Sequence, residues 1–136
     1  MSESKDNILN SIDKEIQVDN LFPIPFVQYQ VKDSEAMNKE LKEIILNKEK
    51  EQDTTIKSNQ GGWQSEGDFF RWGSPSIESL YKIFSKLIES ATTKLDFINN
   101  IPMDFHIYGW ANINRKGNSN IAHIHPMSTW SGTYYV

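Results

Sequence analysis

Met103-Asp-Phe-His-Ile-Tyr-Gly-Trp-Ala-Asn-Ile113, and after a polar turn Asn120-Ile-Ala-His-Ile-His-Pro126, are rich in aromatic and β-branched residues. In the first stretch large groups fall on both alternating faces, the pattern of a strand buried on both sides. As one strand it would span about 35 Å at ~3.3 Å per residue, which is long and predicts a bend near Gly109. Lys116 to Ser119 reads as the turn, and Asn120 to His125 as a short strand closed by Pro126. Gly132 to Val136 reads as a further strand.

Upstream of this β-rich part the periodicity changes. Ser74 and Pro75 open a helix whose apolar series Ile77, Leu80, Tyr81, Phe84, Leu87, Ile88, Ala91 and Leu95 is amphipathic and should pack on a sheet. Asp53 to Gly73 reads as a long loop, unusually aromatic for a connection, and loops of that length are commonly functional. Before it, Ser34 is placed to cap a helix with Met37, Leu41, Ile44 and Ile45 on its apolar face and the charges from Lys48 to Glu51 at its solvated end. Leu21 to Val31 carries Pro23 and Pro25, which confine it to an edge strand beginning near Phe26. Residues 1–20 read as a mobile arm and residues 21–136 as one domain. Two helices followed by a run of strands indicate α+β, a mostly antiparallel barrel or sandwich with the helices outside.

Composition narrows the function. Fourteen Lys and Arg against 18 Asp and Glu leave a net charge of −4. No basic stripe is present to follow a phosphate backbone, which argues against nucleic acid as a partner. No apolar run has membrane-spanning length, and Met1 to Asn10 lacks the apolar core of a secretory signal, so the expected location is cytoplasmic. With no cysteine in the chain, histidine and carboxylates are the protein ligands left for a metal.

His123 and His125 are the candidate metal ligands. Residues i and i+2 of a strand point to one face, where two imidazoles can share a metal, and Pro126 places the pair where the strand opens out. A structural histidine pair remains the alternative. His106 reads as a plain structural histidine. Trp63 and Phe69 read either as a lid over a substrate or as anchors that tie the long loop to the core.

Trp110-Ala-Asn-Ile-Asn114, Gly117, His123-Ile-His-Pro126 and Ser131-Gly-Thr-Tyr-Tyr-Val136 together resemble the 2-oxoglutarate/Fe(II)-dependent oxygenase family of phages and marine bacteria. Leu21-Phe-Pro-Ile-Pro25 and Ser58-Asn-Gln-Gly-Gly-Trp-Gln-Ser65 are similar to that family's opening strand and central loop, so the resemblance covers most of residues 21–136. It implies a double-stranded β-helix of jelly-roll or cupin-like form, incomplete here, with two flanking N-terminal helices. It also implies Fe(II) as cofactor, 2-oxoglutarate as cosubstrate and hydroxylation of an unknown substrate. His123 falls on the family's first ligand position. His125 falls where related oxygenases carry a carboxylate, so either the ligands are all histidines or the second lies elsewhere. Asn112 and Tyr134 are candidates to hydrogen-bond the cosubstrate, with ordinary strand roles as their alternative.

The resemblance implies a later third histidine and a basic cosubstrate anchor, whereas no histidine follows His125 and no arginine follows Arg115. The expectation is therefore a truncated chain with an open sheet edge through which it could self-associate. The competing reading is a non-catalytic cupin-like binding or phage-structural module.

Overall fold

The computed structural model describes residues 24–95 and 104–136. The N-terminal arm, the opening of the Leu21–Val31 segment and Met103 lie outside the described residues. Helix α1 spans Glu35–Glu51 and α2 spans Pro75–Thr93. Between and after them lie β1 (Asn59–Gln60), β2 (Trp63–Gln64), a 3-10 turn at Phe69–Arg71, β3 (Asn112–Ile113) and β4 (Ser119–Asn120). The described residues are thus mixed α and β, with two helices and two small antiparallel sheets.

Both helices begin where the sequence places them, by different means. Ser74 is extended and its hydroxyl accepts the Ile77 amide at 3.2 Å, with Pro75 in the first turn. Ser34 instead adopts a helical conformation, and its backbone carbonyl accepts the Asn38 amide at 2.8 Å. Its expected side-chain cap is therefore replaced by a backbone start. Glu35 and the pair Lys48 and Lys50 sit at the helix ends that suit their charges.

The apolar faces of the helices meet the aromatic segment between them. Leu41, Trp63, Phe69, Ile77, Leu80 and Ala111 form the buried core, with Phe70, Trp72, Phe84 and Tyr134 packed against it. Ser76 donates to Glu40 at 2.6 Å and ties α2 to α1. Trp63 and Phe69 are anchors: both are buried, and the Trp63 indole N–H donates to the Gln52 carbonyl at 2.9 Å. The segment expected as one irregular loop therefore contains two short strands and a 3-10 turn, because its aromatics are pinned on the helices.

β2 pairs with β3, Trp63 opposite Ile113 and Gln64 opposite Asn112. β1 pairs with β4, Asn59 opposite Asn120 and Gln60 opposite Ser119. Gly61 and Gly62 join the two pairings with φ of +69° and +70°. A β-carbon on Gly62 would lie 2.6 Å from the Ile113 carbonyl oxygen, so the close passage of the two segments needs glycine there.

The expected strands are longer than the observed ones. Within Met103–Ile113 only β3 and an isolated bridge from Gly109 to Asp68 are paired. One face is buried rather than two: Ala111 is buried, while Tyr108 and Trp110 are exposed. The Asn120–His125 strand shortens to β4, and residues 24–31 and 132–136 form no ladder. These stretches have strand-like composition but meet no partner strand among the described residues, and a partner is what makes a strand.

Candidate functional site

The paired segments do not end with β2 and β3. The Ser65 amide donates to the Ala111 carbonyl at 3.0 Å, and the Ala111 amide donates to the Ser65 hydroxyl at 3.0 Å. Beyond these bonds the pairing changes: the next bridge joins Asp68 and Gly109 in a parallel sense. Gln64, Ser65, Glu66 and Trp110 line one cavity, whereas Trp63 and Ala111 lie in the buried core and Ile113 packs against it.

His123 and His125 follow β4. The last backbone tie before them is the Ile121 amide donating to the Ser58 carbonyl at 2.8 Å. Beyond it the chain is unpaired until Met127, at φ +66°, turns it after Pro126. The two imidazoles point the same way even without a ladder: their ring centroids lie 4.6 Å apart at 72°. The His125 ring is 5.6 Å from the Trp110 ring.

The hydrogen bonding of His123 fixes its chemistry. Its Nδ1 lies 2.8 Å from the Ile121 carbonyl oxygen. A carbonyl can only accept, so Nδ1 donates, and the neutral ring so held carries its lone pair on Nε2, the arrangement a metal-ligating histidine requires.

Both histidines line a cavity of about 490 Å³, a size suited to a small organic ligand. Thr55, Lys57, Ser58, Gln64, Glu66, Trp110 and Ile121 line it with them. Lys57 is the one cation and Glu66 the one carboxylate among the lining residues, and the two form no ion pair among the described residues. Gln64 is buried, and its Oε1 has no hydrogen-bond partner among the described residues. An unpaired buried acceptor costs stability. Among the described residues no three histidine, cysteine or acidic side chains converge closely enough to hold a metal.

The other sequence candidates lie elsewhere. Asn112 is exposed on β3 opposite Gln64, on the cavity's side of the sheet but not among its lining residues. Tyr134 stands against α1 and α2: its hydroxyl donates to the Asn38 Oδ1 at 2.6 Å, and its ring packs edge-on at 6.4 Å from Phe84. His106 is exposed and does not line the cavity. Arg115 is engaged away from it, in a two-pronged pair with Glu49 at 2.6 and 2.7 Å. That pair holds the Glu49 carboxyl below its ordinary value, chiefly through the guanidinium hydrogen bond. Sequence reasoning missed Lys57, Gln64, Glu66 and the wall role of Trp110. The alternation of Gln64 and Glu66 beside buried Trp63 was the available signal.

Comparison with known proteins gives no match: no family model, curated protein or solved structure aligns significantly with the chain. No described helix is long and apolar enough to cross a membrane.

Proposed function

We propose that the chain carries the metal-binding wall of an Fe(II)- and 2-oxoglutarate-dependent dioxygenase of the hydroxylase type, its short strands belonging to a double-stranded β-helix. The observation that supports this reading most is the meeting of His123 and His125 at one cavity, with the Nδ1 of His123 held by the Ile121 carbonyl. The two imidazoles suit Fe(II), a common histidine-bound metal, and His123 and His125 would hold it. When bound, iron supplies the activation of dioxygen that a 2-oxo acid makes productive, and hydroxylation follows.

The chain's own groups bind and orient. Lys57 would present an ammonium to the cosubstrate's carboxylates, and Thr55 and Ser58 line the same cavity. Trp110 lies beside His125, ring centroids 5.6 Å apart. Neutral imidazoles leave the metal's charge uncompensated, so a dianionic cosubstrate should tighten metal binding. The test is anaerobic Fe(II) titration of the chain with and without 2-oxoglutarate, alongside His123→Ala and His125→Ala. The expected result is one iron per chain, tightened by 2-oxoglutarate with a visible charge-transfer band, and lost in both variants. Binding no better in the wild type than in the variants would refute the oxygenase reading and leave a non-catalytic module.

A further inference from the structure

Two features of the cavity share one electrostatic sense. Glu66 offers a carboxylate; it does not close a three-ligand metal group with the histidines, and no described cation pairs with it. Trp110, which lines the same cavity, offers the negative face of an indole 5.6 Å from the His125 ring. A carboxylate and a π face both attract an N–H-rich cation, and neither suits an anion.

From this we infer that the substrate of the site carries a guanidinium or primary ammonium group, which sits between the Glu66 carboxylate and the Trp110 indole. The word substrate rests on the oxygenase reading; the recognition of the cation does not, because neither residue is a proposed ligand. Lys57 also lines the cavity and gives it a group for a carboxylate-bearing cosubstrate. The place of Trp110 against His125 brings the carbon atoms next to the cation close to the histidine pair.

The experiment is calorimetric titration of the full chain with Nα-acetyl-arginine amide, Nα-acetyl-lysine amide and the neutral isostere Nα-acetyl-citrulline amide. Each is measured without metal and again with Mn(II) and 2-oxoglutarate. A partly exposed ion pair and cation–π contact together predict that at least one cationic probe binds about tenfold more tightly than the citrulline probe. Glu66→Gln and Trp110→Leu should each cut that preference to about threefold or less at unchanged circular dichroism, and Trp110→Leu alone decides where Glu66→Gln unfolds. Equal binding of the citrulline probe, no binding of either cationic probe, or a preference that survives both variants would overturn the inference. Failure of the oxygenase reading looks different: a cationic preference persists without metal while iron binding is no better than in His123→Ala.

Discussion

Gly62→Ala tests the passage on which both sheet register and cavity depend. An alanine at φ +70° sits in the left-handed region, which costs an L-residue about 1–2 kcal/mol. Its β-carbon would also stand 2.6 Å from the Ile113 carbonyl oxygen and 2.7 Å from the Asn114 Oδ1. Carbon–oxygen contacts rest at about 3.3–3.6 Å, so the Ile113 backbone must retreat while it is held in the β2–β3 pair. Overpacking of that kind costs about 1–3 kcal/mol, for a total of about 2–5 kcal/mol.

Two other glycines make the number interpretable. Gly73 has φ +67° with nothing within 4 Å of an added β-carbon, so Gly73→Ala should cost only the conformational part, about 1–2 kcal/mol. At Gly67 the space is also open and no positive φ is present, so Gly67→Ala should be neutral or stabilising by up to ~1 kcal/mol. Urea unfolding followed by tryptophan fluorescence resolves the series, since about 3 kcal/mol moves the midpoint by on the order of 1 M or more. A Gly62→Ala cost equal to that of Gly73→Ala would refute the close passage. The β2–β3 pairing beside the cavity would then lose its support.

Tyr134→Phe should lower stability by about 0.5–1.5 kcal/mol through loss of the hydrogen bond to Asn38, with 2-oxoglutarate binding unchanged. A drop in cosubstrate affinity at unchanged stability would return Tyr134 to a binding role. Gln64→Leu removes the unpartnered buried oxygen and should raise the unfolding free energy by about 1 kcal/mol; a loss of stability in urea unfolding would mean that Gln64 is satisfied. Acid should act on the ties that hold α1. Glu40 is lowered from 4.5 mainly by the Ser76 hydroxyl and Glu49 mainly by the Arg115 guanidinium. Lowered folded values mean the contribution is complete above the unfolded value of 4.5 and is lost as pH falls through the folded values. Thermal midpoints taken from about pH 7 down to about pH 3 should therefore fall less steeply for Glu49→Gln than for the wild type, and parallel curves would refute the pair's role.

The helices were legible because their information is local: Ile77, Leu80 and Phe84 recur at helical spacing, and Ser74 with Pro75 marks the start. Strand extents were not legible. Tyr108 and Ile124 have strand-forming neighbours, yet they stand 80% and 81% exposed because no described segment pairs there. A ladder is a non-local fact, and no window of sequence contains the pairing of Asn59 with Asn120. The same division runs through the site. His123 and His125 share a face two residues apart, which sequence can express. Lys57 and Glu66 reach the same cavity only through the two sheet registers, which it cannot.

Alternation along the paired segments assigns different work to neighbouring residues. Trp63, Ala111 and Ile113 carry packing, and the hydroxyl of Ser65 replaces a ladder carbonyl for the Ala111 amide. Glu66 and Trp110 line the cavity and supply groups that the core does not need. Gln64 departs from this division, being as buried as the core while its Oε1 stays unpaired. That oxygen is closed off from solvent as well as from donors, so its cost falls on the fold, and the groups left to hold a guest's cation are the neighbouring carboxylate and indole.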